Sequence, residues 1–387
     1  MALENEGSNP FTHPSPFSVR CLGRWGINFR RNLTFITIIA VVIAVTFSIF
    51  SCGKPSNGVN AQNGQIIAQN LEIPWALDFL PDGRLILTER PGRIRLIDAQ
   101  GNLLPEPLLT ISEVVASGEG GLLGLALHPN FSQNSFIYFY FTYRNDEGQL
   151  QNRVVRYILQ NGDSLQEDKV ILDGIPAAGN HDGGRIKFGP DGLLYITAGD
   201  AGDSNSAQNL SALSGKILRV KDDGSISEDN PFPDSPVYSY GHRNPEGLAW
   251  DGEGRLWETE HGSSAHDEVN LIEAGKNYGW PVIQGDETVP DMVTPVINSG
   301  NDTWAPSGAA VFEGSLYFAG LRGESLFELN LSDTTQLTRH LQRTYGRLRA
   351  VELGPDNTLY ILTSNRDGRG SPAADDDRII EISPAGL

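Results

Sequence analysis

The sequence predicts an all-β fold, a six-bladed β-propeller with four-stranded antiparallel blades. The first observation is a phrase that occurs six times: an apolar run, a turn containing Pro, Asp, Asn or Gly, and a second apolar or aromatic run. The second is the spacing of the six turns, which lie 48, 61, 61, 62 and 42 residues apart, the length of one blade with a variable loop. The third is composition, because 43 Gly and 23 Pro among 387 residues favour a fold rich in turns.

Each copy of the phrase predicts two strands joined by a tight turn. Asp-Gly and Asp-Asn pairs supply the left-handed backbone angles that such turns need. The copies cover residues 77–87, 125–140, 186–197, 248–259, 309–318 and 351–363. Because a propeller carries its functional groups on the loops at one end of its axis, polar clusters in those loops are the candidate site.

The charge of the chain argues against nucleic acid as a partner. The net charge is −19, and the first 51 residues carry +2 from four Arg and two Glu, so the remainder carries −21. An acidic body of this kind is repelled by phosphate backbones. The acidity is compatible with simple solubility and with Ca²⁺ binding.

The N-terminal segment predicts export. Residues 33–50 form a run of 18 residues without a charge, and Arg24, Arg30 and Arg31 precede it. A basic flank followed by an apolar run is an export signal. The residues around Cys52 resemble the lipobox of bacterial lipoproteins, in which the cysteine is lipidated and becomes the new N-terminus.

This interpretation divides the chain into three parts. We predict an N-terminal extension with a lipoprotein signal peptide over residues 1–51, a tether over 52–69 and a propeller domain over 70–387. An uncleaved signal anchor over 33–50 is the alternative, since 18 apolar residues can just span a bilayer. Both place the body on the periplasmic or cell-surface side, with membrane contact only through lipidated Cys52 or the anchor.

The loop 179–185, directly before the third copy, carries the first candidate cluster. Gly183 and Gly184 let the backbone turn sharply, which presents His181 at the tip of the loop. A strand, a turn and a second strand separate His181 from Asp200, so both residues return to the same end of the propeller. Asp200 can then accept a hydrogen bond from one ring nitrogen of His181 and leave the other as a general base. A histidine that only closes a turn is the alternative.

Two loops around the fourth copy offer polar groups for an anion and for a cation. In loop 240–248, Arg243 presents a fork of donors suited to a carboxylate and Asn244 adds a donor and an acceptor. An Arg that braces neighbouring blades fits the same pattern. In loop 260–268, acidic side chains and loop carbonyls are the oxygen ligands that Ca²⁺ prefers, and a solvated acidic loop is the alternative. Zinc is disfavoured because the two histidines of this loop lack a convincing third ligand.

Arginine residues from further blades point to an anionic ligand. Arg322 follows the fifth copy, and Arg347 and Arg349 open the sixth, where strand alternation puts them on one face. In an acidic body, several Arg that converge on one end of the axis imply an anion there. Ordinary surface placement is the default interpretation of any one of them.

Taken together, these segments resemble the soluble quinoprotein sugar dehydrogenases, that is, the PQQ-dependent aldose sugar dehydrogenases and the related soluble glucose dehydrogenase. The resemblance covers about residues 70–383, and its motifs follow one another at blade boundaries. The motifs occupy residues 118–129, 181–185, 241–245, 267–272 and 277–281.

The resemblance implies that PQQ, a tricarboxylate quinone, lies over the propeller axis. His181 matches the general base that takes the proton from the anomeric hydroxyl of the sugar, and Asp200 matches the acid that orients this base. The positions that match cofactor contacts are Glu119, Arg243, Asn244, Arg322, Arg347 and Arg349.

Two Ca²⁺ sites and one substrate contact are also implied by the resemblance. Gly262 and Ser263 match the pair whose backbone carbonyls bind the catalytic Ca²⁺, which acts as a Lewis acid. Glu268 and Tyr278 match a second, structural Ca²⁺ site. Trp304 either forms an apolar wall against the sugar ring or packs between blades.

The chain departs from the glucose dehydrogenase pattern at several of these positions. Glu119 replaces a Gln that contacts PQQ, and an ionised Glu would repel a tricarboxylate unless it is protonated or turned towards Ca²⁺. Arg322 replaces a Lys, Ser263 replaces a Pro and Asn180 replaces an Asp. The segment 281–304 is short for the family, which predicts a more open site and a broader range of aldoses.

The main hypothesis is therefore an oxidoreductase that converts aldoses to lactones with PQQ and Ca²⁺ and passes electrons to an external acceptor. One alternative is a Ca²⁺-dependent lactonase, which would need side-chain carboxylates converging on an axial ion. The loops offer His and Arg more than acids, which disfavours it. The other alternative is a non-catalytic propeller that binds sugars or proteins, and the fold does not decide among these functions.

Overall fold

The computed structural model describes residues 64–387 of the chain. The predicted signal segment, the alternative anchor, the lipidation site and the tether up to residue 63 lie outside the described residues. Within residues 64–387, no helix combines the length and the hydropathy that a membrane crossing requires.

Twenty-four strands within residues 64–387 form six antiparallel sheets of four strands each, which confirms the predicted six-bladed propeller. In chain order they are β1 (Gln65–Ala68), β2 (Pro74–Phe79), β3 (Leu85–Glu89), β4 (Arg93–Ile97), β5 (Leu109–Thr110), β6 (Leu122–Leu127), β7 (Phe136–Arg144), β8 (Leu150–Gln160), β9 (Ser164–Pro176), β10 (Ile186–Phe188), β11 (Leu194–Ala198), β12 (Lys216–Val220), β13 (Val237–Tyr240), β14 (Pro245–Trp250), β15 (Leu256–Glu260), β16 (Glu268–Ile272), β17 (Ile297–Asn298), β18 (Pro306–Phe312), β19 (Ser315–Gly320), β20 (Ser325–Asn330), β21 (Leu337–His340), β22 (Leu348–Leu353), β23 (Leu359–Thr363) and β24 (Ile379–Ile382). Blades 1 to 5 contain β2–β5, β6–β9, β10–β13, β14–β17 and β18–β21, and blade 6 contains β22–β24 with β1. The short elements besides these strands are α1 (Phe131–Asn134) and two 3₁₀ turns, Ser204–Gln208 and Pro384–Gly386.

The ring is closed by the two ends of the described chain. Strand β1 pairs antiparallel with β24, with Gln65 opposite Glu381 and Ile66 opposite Ile380. The first described strand therefore becomes the outer strand of the last blade. This pairing covers the backbone groups that β24 would otherwise expose along its edge.

The hydrophobic core lies between the blades. All four consecutive aromatic residues Tyr138, Phe139, Tyr140 and Phe141 of β7 are buried, because the strand packs on both of its faces. In blade 5, the rings of Phe318 and Phe327 stack with their centroids 4.8 Å apart. Such continuous apolar strands distinguish a propeller blade from a sheet with one solvated face.

The inner strands place the loops that matter for function. The first strands of neighbouring blades contact one another around the axis, except that between blades 3 and 4 the contact is made by β11 and β14. Five of these six strands carry a register shift near their first residues, between residues 74 and 76, 122 and 125, 245 and 247, 306 and 309, and 348 and 350. A bulge bends a strand and re-aims its side chains. Since the strands are antiparallel, the loops that enter each inner strand and the loops between second and third strands meet at one end of the axis.

A buried polar cluster occupies the axis below these loops. Glu246 of β14 accepts hydrogen bonds at Oε2 from Arg349 of β22, at 2.5 Å, and from the hydroxyl of Ser307, at 2.8 Å. The guanidinium of Arg185 donates to the carbonyl of Glu246, and its Cζ lies 4.1 Å from the centroid of the Trp75 ring. Residues of five blades therefore contact one another at the axis through hydrogen bonds and ring packing.

Candidate active site

A cavity of about 290 Å³ lies at this end of the axis, and loops belonging to five blades line it. It brings together seven of the residues predicted from sequence: Glu119, His181, Arg243, Gly262, Ser263, Arg322 and Arg347. It also includes residues that the sequence reasoning did not assign: His261, Ser264, Asp267, Thr303, Ala305, Leu321 and Arg369. Three predicted arginines and the predicted base therefore share one space.

His181 and Asp200 form the predicted pair. Nδ1 of His181 lies 2.7 Å from Oδ1 of Asp200, and Oδ2 of Asp200 accepts a hydrogen bond of 2.8 Å from the indole of Trp280. The carboxylate is 2% exposed, and although burial works to raise the pKa of Asp200, its bonds to His181, Gly202 and Trp280 hold that pKa below the ordinary value. A hydrogen-bonded, ionised Asp200 fixes the ring of His181 with the proton on Nδ1. Nε2, which lies 3.2 Å from Nδ2 of the exposed Asn180, is then the nitrogen that can accept a proton.

The loop conformation of His181 is unusual for a residue with a side chain. Its φ is 60°, in the left-handed region. Its backbone N–H donates to Oε2 of Glu119 at 2.7 Å, and its carbonyl accepts from the N–H of Ala201 at 3.2 Å. At Gly183, with φ 63°, a Cβ would lie 2.7 Å from the carbonyl oxygen of Thr197, so only glycine fits. These contacts hold the imidazole at the loop tip, as the glycine pattern predicts.

Positive charge dominates the cavity wall. Arg243, Arg322, Arg347 and Arg369 line it, against the carboxylates of Glu119 and Asp267. Nε of Arg243 is buried and has no hydrogen-bond partner among residues 64–387, and Arg322 is exposed with no ion-pair partner in the same range. Donors left unused in a shared cavity favour an anionic ligand.

The loop that carries Gly262 and Ser263 is shaped by Asp267. Oδ1 of Asp267 accepts from the N–H of Gly262 at 2.9 Å, and Oδ2 accepts from the N–H groups of Trp304 and Ala305 at 2.6 and 2.8 Å. A Cβ at position 262 would lie 2.0 Å from the carbonyl oxygen of Ala265, so the turn requires glycine. The carbonyls of Gly262 and Ser263 accept none of the hydrogen bonds found within residues 64–387, which leaves them available to a cation.

Three predicted ligand contacts lie outside the cavity lining. Asn244 is fully buried and uses both ends of its amide, accepting from the N–H of Gly183 and donating to Glu246. Arg349 belongs to the axial cluster, because the register shift in β22 turns it away from Arg347. Trp304 is 4% exposed and packs against Phe318 and Phe327 in the core of blade 5. A role in ligand contact stays a prediction for each of them.

Glu268 belongs to a second cluster of polar groups in blade 4, which we call the blade-4 acidic cluster. The register of β15 and β16 pairs Glu258 with Asn270 and Glu260 with Glu268. The cluster consists of His242, Glu258, Glu260, Glu268 and Asn270, all buried. Ligand atoms of its histidine and of the two β15 carboxylates lie within 4.8 Å of one another.

Several atoms of this cluster lack partners. Nδ1 of His242, Oε1 of Glu258 and Oδ1 of Asn270 are buried without a hydrogen bond in the described part of the chain. Burial raises the pKa of Glu260 and lowers that of His242 to about 3. The hydroxyl of Tyr278 donates to the carbonyl of Leu271 and accepts from the N–H of Glu273, so it is engaged both as donor and as acceptor. A role of Tyr278 in cation binding stays a prediction.

Comparisons with known proteins agree with this geometry. A family model described as "Glucose / Sorbosone dehydrogenase" matches residues 71–371. The chain is 33% identical over 341 residues to the aldose sugar dehydrogenase YliI of Escherichia coli, covering 79% of this chain and 91% of that protein. It is 35% identical over 290 residues to the quinoprotein glucose dehydrogenase B of Acinetobacter calcoaceticus, covering 65% of this chain and 60% of that protein.

A solved structure extends the match to the whole propeller. The PQQ-bound form of the aldose sugar dehydrogenase of Streptomyces coelicolor is 42% identical, with a TM-score of 0.77, and the match covers 82% of this chain and 96% of that one. The resemblance inferred from the loop motifs is thereby confirmed. The chain therefore belongs to the glucose/sorbosone dehydrogenase family.

Proposed function

We propose that this protein oxidises the anomeric hydroxyl of aldose sugars to lactones, with PQQ as hydride acceptor and Ca²⁺ as Lewis acid. The observation that carries the proposal is the cavity in which His181, oriented by a buried Asp200, faces a wall of arginines. Membership of a sugar dehydrogenase family supports the substrate class, and the PQQ-bound relative supports the cofactor.

The residues of the cavity fit a tricarboxylate. Arg243 has a buried Nε without a partner, and Arg322 has an unpaired guanidinium, judged over residues 64–387. Arg347 is held in place by Asp367, at 2.7 Å, and adds a third positive group. Charge-assisted hydrogen bonds from such groups are the strong and directional contacts that a carboxylate ligand needs.

The same cavity fits a hard cation beside the anion. The carbonyl oxygens of Gly262 and Ser263 provide two protein ligands, and the side chain of Asp267 keeps their loop in shape. When bound, PQQ supplies the two-electron acceptor and Ca²⁺ polarises it. The residues of the protein then have to position these two groups, balance their charge and provide a base.

His181 is that base in our proposal. Its Nδ1 is directed to Asp200, so Nδ1 carries the proton and Nε2 is the atom that removes the proton of the anomeric hydroxyl. Asp200 then stabilises the imidazolium that forms, and Trp280 keeps Asp200 from rotating. The proton transfer is thus arranged entirely by side chains of blades 3 and 4.

We further propose that the blade-4 acidic cluster holds the second, structural Ca²⁺. Three buried carboxylates and an amide oxygen without a partner form a set of hard oxygen ligands. Tyr278, the other residue predicted for this ion, stacks its ring on that of His242. A divalent cation would neutralise charges that burial otherwise makes costly. Glu268 was predicted as a ligand of this ion, and the other members of the cluster extend its ligand set.

The N-terminal segment leads us to propose export and tethering. The support is the basic flank, the uncharged run over residues 33–50 and the cysteine that follows at 52. In this proposal residues 1–51 are removed and the propeller works on the periplasmic or cell-surface side, where it passes electrons to an external acceptor. Mass spectrometry of the mature N-terminus checks it: a lipidated Cys52 is expected, and an intact residue 1 would indicate the signal anchor.

The enzymatic test uses the purified propeller reconstituted with PQQ and Ca²⁺, with glucose as substrate and dye reduction as readout. His181→Ala is expected to lose about 10²–10⁴-fold in rate while still binding PQQ, because a general base contributes that much. His340→Ala, on the outer strand of blade 5 and paired with Glu328, is the control and should stay active. Lactone opening without dye reduction would instead show a hydrolase, and neither activity would show a binding module.

A further inference from the structure

An ion pair closes one side of the cavity mouth. Nη1 of Arg369, in the loop between β23 and β24 of blade 6, lies 2.6 Å from Oε1 of Glu119, in the loop that enters blade 2. The two residues are 250 positions apart in the chain. Between them, Arg90 of blade 1 donates to the carbonyl of Gly118 at 2.9 Å. The contacts join three consecutive blades around the ligand space.

The carboxylate of Glu119 also holds the base. While Oε1 receives Arg369, Oε2 receives the backbone N–H of His181 at 2.7 Å, in the loop where His181 adopts its left-handed φ. Burial works to raise the pKa of Glu119, but the attraction of His261 and the bonds from Arg369 and His181 lower it to about 2. Glu119 is therefore ionised throughout the range in which an enzyme works.

Arg369 is itself anchored by the loop that orients a second arginine. Oδ2 of Asp367 accepts hydrogen bonds from Nε of Arg347 at 3.0 Å and from its Nη2 at 2.7 Å, and Oδ1 accepts from the backbone N–H of Arg369 at 2.9 Å. One short segment of blade 6 thus directs Arg347 into the cavity and Arg369 across its mouth. The side chain of Arg369 is 54% exposed, whereas that of Glu119 is 16% exposed.

We propose that Arg369 is a positioning residue that neutralises Glu119, so that an acidic side chain can anchor the loop of His181 inside a cavity that takes an anionic cofactor. This inference rests on the proposed function. A neutral glutamine at position 119 would need no such partner. The glutamate repels a tricarboxylate, and the guanidinium that bonds to it cancels that repulsion and keeps the carboxylate directed at His181.

The experiment measures the affinity of the apo-protein for PQQ, in saturating Ca²⁺, by quenching of intrinsic fluorescence at low and at physiological ionic strength. Arg369→Gln is expected to bind PQQ about 10-fold more weakly at low ionic strength, and the deficit should shrink with added salt. The double variant Glu119→Gln with Arg369→Gln is expected to recover to within about 3-fold of wild type, because the repelling charge is gone. Arg144→Gln, which removes an exposed guanidinium that donates to the carbonyl of Gly148 in its own turn, is the matched control.

Two results would overturn the inference. One is an Arg369→Gln protein that binds PQQ as tightly as wild type at low ionic strength, and the other is a double variant as weak as the single one. Arg369→Lys keeps the charge and is expected to stay within about 3-fold of wild type; a loss as large as that of Arg369→Gln would also contradict the electrostatic role. A wild-type protein that does not bind PQQ at all would refute the proposed function and this inference with it.

Discussion

Buried glutamates have pKa shifts of opposite direction in two regions of the propeller, the axial cavity and the blade-4 acidic cluster. In the cavity, the pKa of Glu119 falls to about 2 although its carboxyl is largely buried. In the cluster, burial raises the pKa of Glu260 and Glu268. Glu119 has Arg369 and the N–H of His181, whereas the cluster contains no Lys or Arg. The comparison teaches that the partners, and not burial alone, set the charge of a buried acid here.

The two regions are built from neighbouring residues of the same strands and loops. His242 belongs to the cluster while Arg243 lines the cavity, and Glu260 belongs to the cluster while His261 lines the cavity. Besides one histidine nitrogen in each region, the buried side-chain atom without a hydrogen bond in the described part of the cavity is the donor Nε of Arg243, and those in the cluster are the acceptors Oε1 of Glu258 and Oδ1 of Asn270. Blade 4 therefore separates a place for an anion from a place for a cation within a few residues of chain.

The largest expected effect concerns the acid stability that Glu119 contributes. Its pKa is about 2 in the folded protein against an ordinary 4.5, so its contribution is complete above about pH 4.5 and is lost as the pH falls through 2. That shift corresponds to about 3 kcal/mol in full. The free energy of unfolding of wild type, relative to Glu119→Gln, should therefore shrink between pH 6 and pH 3 in denaturant titrations. A difference that does not change with pH would show that the carboxylate gains nothing from its partners.

A smaller effect is expected from the donors of the cavity. Arg243→Gln removes a guanidinium whose Nε has no partner in the described residues and whose Cζ lies 5.3 Å from the ring of Trp280. Affinity for PQQ should fall about 30-fold, or about 2 kcal/mol, because a hydrogen bond to a charged group is lost. Arg255→Gln, on an exposed turn beside Asp251, should leave the affinity unchanged. Equal losses in both variants, measured by calorimetry, would show a general charge effect instead of a site.

The smallest expected effect comes from the cluster, and it has the opposite sign. Glu258→Gln replaces one of three buried carboxyl groups whose charged form burial disfavours, so metal-free protein should gain about 1 kcal/mol of stability. The same variant should lose most of the rise in melting temperature that Ca²⁺ gives wild type, since a ligand is missing. Glu253→Gln, at an exposed turn of the same blade, is the control. A full Ca²⁺ response in Glu258→Gln would place the structural ion elsewhere.

The fold could be predicted from the sequence because each repeat is local. Each strand–turn–strand phrase contains its own apolar alternation and its own turn residues, so six copies predict six blades without any long-range contact. The pairing of His181 with Asp200 could be predicted for the same reason, because the two strands between them bring both residues back to one end of the axis. The prediction for Arg349 depended on alternation along β22, and the register shift between residues 348 and 350 changes that alternation.

Other features needed distant contacts. Arg369 lies in no motif, and its partner Glu119 is 250 positions away, so nothing local connects them. The sequence around Trp304 does not distinguish a ring that faces a sugar from one that packs in the core. Its packing against Phe318 and Phe327 depends on how blade 5 folds. The blade-4 acidic cluster depends on the pairing of β15 with β16, which brings residues of two strands onto one face.

The amino-acid sequence thus specifies the number of blades, the acidic character of the body and the loop that carries the base, because hydrophobic period and turn chemistry act over a few residues. Which charges become neighbours is specified by closure of the ring, since electrostatic attraction acts through space and not along the chain. The repulsion expected of Glu119 is cancelled by an arginine from four blades later in the sequence, and it is the circular arrangement that brings the two together.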